Sequence, residues 1–192
     1  MNRRQFILRG SMLSCAALSY ALPNAVHAVG ASGAVGSGAT LIPAGYIQTG
    51  QAESVPPLIL YGVALQESAQ LFGNRVLPYP WTLNVAGAPH RFTNFNAAVA
   101  ALRANVMRGI TSVDCGLMQV NWRYHNEKLG NFQQALDPYP NLRAGALILR
   151  QAYARTGDWF KAVGHYHSPE NPVRANAYAH GVVRRMKKVM HG

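Results

Sequence analysis

An unbroken apolar run, Leu58-Ile59-Leu60-Tyr61-Gly62-Val63-Ala64-Leu65, follows the proline pair Pro56-Pro57 and fades towards Gly73. Prolines suit the first turn of a helix and glycine its end, so the pattern predicts a buried helix over about 57–72. From Val76 to Asn94 prolines recur and no helical period is present, which predicts a short hairpin or an extended loop. Asn94 or Asn96 then suits the cap of a helix running through Ala97–Leu102 to Met107, closed by Gly109. Asp114 is placed to cap a short helix from Cys115 to Val120. Asn141 is placed to open Leu142–Thr156, with Gly157 as its stop, Asp158 to open Trp159–Tyr166, and Asn171-Pro172 to open a last helix to about Met190. No internal repeat interrupts this order. The fold class that follows is mainly α, a single domain with a short hairpin or extended loop.

Composition changes the picture at the start of the chain. The 192 residues allow one domain, and 49% hydrophobic with 13% charged residues excludes disorder for most of the length. Residues 1–28 carry Arg3, Arg4 and Arg9, then an apolar run from Ser11 to Leu22, then the small-residue pattern Val26-His27-Ala28. This predicts a cleavable export signal, too short to span a membrane as a helix. Asn2-Arg3-Arg4-Gln5-Phe6-Ile7-Leu8 resembles a twin-arginine signal, with Asn2 where Ser or Thr is usual, so both the Tat and the Sec routes stay open. The Gly-, Ala- and Ser-rich stretch that follows predicts a flexible leader over 29–54, ahead of a domain over 55–192.

The charge is lopsided, 18 Lys and Arg against 7 Asp and Glu, a net +11. Loss of residues 1–28 would remove three basic side chains and leave +8. Such a surface favours polyanions, the acidic cell envelope among them. Nucleic acid is disfavoured, since no RRM, helix-turn-helix or zinc motif accompanies the basic residues. Of the two cysteines, Cys15 lies in the export signal, and Cys115 alone forms no internal disulfide.

With so few acidic residues, Glu67 stands out, because Val63, Ala64 and Leu71 surround it at helical spacing. Burial there would raise its pKa, as a general acid near neutral pH requires. The residues equally allow a solvated carboxylate beside Gln66 and Gln70. In Asp114-Cys115-Gly116-Leu117-Met118-Gln119-Val120-Asn121-Trp122, Gly116 permits close backbone approach and the amides of Gln119 and Asn121 can bind sugar hydroxyl and N-acetyl groups. The same stretch also reads as a capped helix with Leu117, Met118 and Val120 in the core. His165 and His167 have no HExxH, CxxC or carboxylate-rich partner, so no metal site and no cofactor is expected.

Taken in order, these pieces resemble the lytic transglycosylase (SLT) family, which is goose-type-lysozyme-like, over about residues 55–185. Ala64-Leu65-Gln66-Glu67-Ser68 looks like the family's Glu-Ser motif, and Gly116-Leu117-Met118-Gln119 matches its Gly-Leu-Met-Gln motif, 52 residues on from Glu67 to Gln119. Tyr166 and Tyr178 look like the two tyrosines of its third motif. His167 stands where the family usually has Asn. The stretch around Gly116 is closest to small exported versions found with conjugation, pilus and secretion machines.

The resemblance implies a lysozyme-like domain that cleaves the β-1,4 bond between N-acetylmuramic acid and N-acetylglucosamine in peptidoglycan glycan strands. It implies Glu67 as the one catalytic carboxyl, and Ser68, Met118, Gln119, Asn121, Tyr166, His167 and Tyr178 as groups that line the glycan groove or hold the acid. It implies a periplasmic enzyme without cofactor, metal or membrane span, and an envelope-spanning machine as a partner. Two other readings stay open: a hydrolytic muramidase that uses Asp114 as a second carboxylate, and a non-catalytic basic accessory of the envelope.

Overall fold

A computed structural model describes residues 42–191. The expected export signal, and the leader as far as residue 41, lie outside the described residues. The described chain is mainly α, with seven helices and two small antiparallel sheets among those residues.

The leader expected to be flexible over 29–54 is helical in its last part. Helix α1 covers Ala44–Ala52, and its Tyr46 is buried edge-on against Tyr61, with ring centroids 4.8 Å apart. One aromatic side chain anchors this segment, a feature that its Gly- and Ala-rich composition hides.

Helix α2, Pro57–Ser68, is the core helix that the apolar run predicts, with Leu60, Tyr61, Val63, Ala64 and Leu65 buried. It ends four residues earlier than expected. Ala69–Phe72 forms strand β1, which pairs with β2, Arg75–Pro78, around a Gly73 turn. The reason is visible in burial: Leu71 and Phe72 are exposed, so a longer helix would gain no core contact there. The segment 76–94 contains a second hairpin, β3 (Thr82–Val85) with β4 (Ala88–Arg91).

Helix α3, Phe95–Met107, is capped by Asn94, whose side chain accepts from the Ala97 N–H. The short helix expected over 115–120 is absent. Val113–Cys115 is strand β5, a tight turn spans 116–119, and Val120–Asn121 is strand β6, completing a sheet in the order β4-β3-β5-β6. Pairing of Leu83 with Cys115 and Asn84 with Asp114 claims this backbone for the sheet, so Asp114 caps nothing. Helix α4, Trp122–Leu129, is not among the expected elements, although Asn121 caps its start and Gly130 closes it.

Helix α5, Pro138–Thr156, starts before Asn141; Asp137 is its cap, with Pro138 in the first turn and Gly157 at its end. Helices α6, Trp159–His167, and α7, Pro172–His191, follow the expected caps Asp158 and Asn171. α7 packs on both α2 and α6. The approach to α2 is close, since a Cβ on Gly62 would lie 2.7 Å from the Met186 Cγ. Among the described residues no helix is long and apolar enough to cross a membrane.

Candidate active site

Four pieces of chain converge on one region: the end of α2, the 116–119 turn, the end of α6 and the middle of α7. The turn is the hub. Gly116 has φ +72°, a left-handed conformation that glycine adopts without strain, and a Cβ there would lie 2.7 Å from the side chain of Asn141. Asn141, fully buried in α5, accepts from the Met118 N–H at 2.9 Å and donates to the Cys115 and Ala135 carbonyls at 2.8 and 2.9 Å. From α2 the Ser68 hydroxyl donates to the Leu117 carbonyl at 2.8 Å, and from α6 the Tyr166 hydroxyl donates to the Met118 carbonyl at 2.6 Å. Three helices thereby hold one turn.

Glu67 sits one residue before that Ser68 anchor, mostly buried at the edge of a cleft of about 830 Å³. The Tyr178 hydroxyl, reaching from α7, donates a hydrogen bond to its Oε1. Burial pushes the Glu67 carboxyl up from its ordinary 4.5 to about 7; the Tyr178 hydrogen bond opposes this, and the nearby Asp114 charge adds to it. Such a group can give a proton and take one back near neutral pH. Asp114 faces the same cleft, also raised by burial, with the Asn121 amide (2.7 Å) and His167 pulling it the other way. The ring of His167 lies flat against Tyr178, centroids 4.4 Å apart and planes within 5°. Burial and then Arg174 lower its pKa, against the opposing pull of Asp114, so the imidazole is neutral at neutral pH.

Residues 92–184 match the family model of the Transglycosylase SLT domain. Over that span the chain carries an SLT-type transglycosylase domain. The domain points to lytic-transglycosylase-type, peptidoglycan-related activity and agrees with the mainly α, lysozyme-like fold. The matched span of the SLT domain contains the 116–119 turn, Tyr166 and Tyr178; α2 with Glu67 precedes it. No curated protein and no solved structure gives a significant match to the chain.

The residues expected in the site divide into two groups. Glu67, Gln119, Asn121, Tyr166 and His167 line the cleft of the SLT domain. Ser68 and Met118 are buried away from it: Ser68 spends its hydroxyl on backbone carbonyls, and the Met118 side chain packs on Gly145. Tyr178 stands behind the wall, in contact with two residues that line it, Glu67 and His167. Asn121 has a structural duty as well, accepting from the Arg123 N–H as the cap of α4.

The far walls were not foreseen. Asn84 from β3, His125 from α4, and Gln151 and Arg155 from α5 complete the cleft. Their positions carry no local motif, and only the sheet register and the α4–α5 packing gather them. Among the described residues no group of His, Cys, Asp and Glu side chains is arranged to hold a metal.

Proposed function

We propose that the protein is a peptidoglycan lytic transglycosylase with Glu67 as its general acid and base. The observation that carries this reading is the buried Glu67 carboxyl, with a pKa of about 7, hydrogen-bonded by Tyr178 at the edge of a cleft large enough for a glycan strand. Protonated Glu67 gives its proton to the oxygen that links N-acetylmuramic acid to N-acetylglucosamine. The C1–O bond breaks, and its electron pair leaves with that oxygen. The sugar's own acetamido carbonyl relieves the positive charge developing at C1. Glu67, now a carboxylate, takes the proton of the muramoyl C6 hydroxyl, whose oxygen closes on C1. The product is a 1,6-anhydro end, no water is consumed, and Glu67 is protonated again.

Tyr178 supports the carboxylate half of this cycle, and Gln119, Asn121, Tyr166 and His167 border the strand. A second carboxylate is not required, in contrast to glycosidases that use two. Asp114 is the group that would serve a hydrolytic muramidase, and its place in the same cleft makes that the competing reading. Mass spectrometry of muropeptides released from purified sacculi separates the two. Anhydro ends are expected, and reducing ends alone would establish hydrolysis. Glu67→Gln keeps the shape and removes the proton, so release should fall about 10²- to 10⁴-fold with the fold intact. A loss below tenfold would reject Glu67 as the acid.

The setting belongs to the same proposal. The protein acts in the periplasm after export through residues 1–28, and it opens the wall locally for a conjugation, pilus or secretion apparatus. Export predicts a product starting near Val29 in the envelope fraction, read by N-terminal sequencing, and an uncleaved cytoplasmic chain would overturn it.

A further inference from the structure

The hairpin that follows α2 stands apart from the cleft. Strands β1 and β2 pair Leu71 with Val76 and Phe72 with Arg75 around the Gly73-Asn74 turn, and every residue from Leu71 to Val76 is exposed. Leu71 keeps 65% of its surface in solvent, Val76 46% and Phe72 41%. None of residues 69–79 lines the cleft, so a glycan held at Glu67 does not cover them.

Large apolar side chains grouped on an exposed tip mark a contact site. The strand register says what shape of contact fits. Cross-strand partners share a face, and successive residues alternate between faces. Leu71 and Val76 therefore lie on one face of the hairpin, and Phe72 lies on the other beside Arg75. A protein groove that closes on one face leaves the other wet, whereas a lipid surface surrounds a tip that enters it.

What stands behind the tip is graded in the same sense. Phe72 leads a row of rings, with centroids 5.9 Å apart from Phe72 to Tyr79 and 5.8 Å from Tyr79 to Trp81, and both Tyr79 and Trp81 are half-buried. Tyr and Trp favour the headgroup level of a bilayer, where one ring meets both oil and water. Cations stand beside these rings. Arg75 is in the hairpin itself, Arg91 at the cleft edge donates to the Ala69 carbonyl at 2.9 Å, and Arg185 from α7 donates to Gln66 Oε1 at 3.5 Å. No Asp or Glu occurs from Ser68 to Val113, and the carboxylates that bound this stretch, Glu67 and Asp114, line the cleft. An apolar tip, an aromatic collar and a cationic base complement a bilayer surface with anionic headgroups, to which each nearby cation adds attraction.

We propose that the β1–β2 hairpin is a membrane-docking tip: Leu71, Phe72 and Val76 enter the boundary between headgroups and acyl chains of a bilayer that contains anionic lipid, and Arg75, Arg91 and Arg185 rest on its phosphates. This goes beyond the reaction at Glu67 and does not depend on it.

The test is co-sedimentation of the chain recovered from the envelope fraction with vesicles of phosphatidylglycerol and phosphatidylethanolamine. Replacing Leu71, Phe72 and Val76 together with Ser should weaken binding at least about tenfold, and Arg75→Gln about fivefold. Tm should hold in both, since these side chains are exposed. If the triple variant does not fold, Leu71→Ser alone reads the same loss in smaller measure. In a Cys15→Ser chain, with Cys115 buried, an environment-sensitive fluorophore on Leu71→Cys should brighten on the same vesicles whatever the N-terminus does. A parent that ignores anionic vesicles, or a fluorophore that stays in water while the protein sediments, overturns the proposal and leaves a protein groove as the hairpin's occupant. Equal binding to neutral phosphatidylcholine vesicles overturns the anionic preference. Muropeptide release without lipid should be the same for parent and triple variant, so a failure here leaves the reading of Glu67 untouched.

Discussion

Glu67 keeps its proton only because α2 carries it into the domain. Its folded pKa of about 7 lies above the ordinary 4.5, so between those pH values the unfolded chain releases a proton that the folded chain retains. Folding stability therefore falls as pH rises through that window, and the cost levels off above about 7. Below 4.5 both states are protonated and the cost vanishes. Glu67→Gln has nothing to titrate, so its Tm should match the parent's at acid pH and exceed it at pH about 8, by an amount worth at most about 2 to 3 kcal/mol. Equal Tm values at both pH extremes would mean that the carboxyl is solvated. In the proposed reaction activity should follow the same proton: the acid form is lost as pH rises through about 7, which would set the alkaline limb of the rate profile. The Tyr178 hydroxyl favours the carboxylate, so Tyr178→Phe should move that limb to higher pH and lower the rate about ten- to a hundredfold. A limb that stays in place or moves down would show that the hydrogen bond does not act on Glu67. At this scale the sequence was informative but ambiguous. Apolar neighbours at helical spacing allowed either a buried or a solvated Glu67, and only the arrival of Tyr178 and Asp114 from distant segments decides between them.

Elements hold the 116–119 turn in place, and α5 does so through one side chain. Removing the Asn141 amide strands the Met118 N–H and the Cys115 and Ala135 carbonyls together. Each buried unpaired group costs about 1 to 3 kcal/mol, so Asn141→Ala should lose about 3 kcal/mol or more in urea unfolding. Asp137→Ala, at the true cap of the same helix, should cost about 1 kcal/mol. Similar losses for the two would show that Asn141 is no clamp. These inward contacts are also why Asn141 does not open the helix. Asn before an apolar period is an ordinary cap signal, and Asp137, four residues upstream and followed by Pro138, is another; nothing local reveals that the Asn141 amide is turned inward to a strand-borne turn. Asp114 misled in the same way, since its backbone is claimed by pairing with Asn84, a residue 30 positions away in the chain. By contrast Asn94, Asp158 and Asn171 cap their helices through contacts three residues on, and such local signals are legible in sequence.

At the scale of the whole molecule, motif order gave the family and the fold class, while most of the cleft's far walls escaped. Asn84, His125, Gln151 and Arg155 come from three elements and meet only in the folded chain. Net charge, by contrast, is a property of the whole molecule that the sequence carries directly. The excess of 18 basic over 7 acidic residues is displayed in part on the exposed side of α7, by Arg184, Lys187 and Lys188. A peptidoglycan sacculus presents many stem-peptide carboxylates, so attraction between the two surfaces should add to whatever the cleft contributes. Screening separates these contributions. The Debye length shrinks from about 30 Å at 0.01 M salt to about 8 Å at 0.15 M, which weakens contacts between exposed charges and leaves enclosed hydrogen bonds nearly untouched. Co-sedimentation of Glu67→Gln protein with intact sacculi should therefore weaken steeply over that range. Binding to an uncharged N-acetylglucosamine oligomer should stay level. Replacing Arg184, Lys187 and Lys188 with Gln should flatten the salt dependence on sacculi and leave oligomer binding as it was. A sacculus affinity indifferent to salt would show that the positive surface has no part in holding the wall, and that the cleft alone carries recognition.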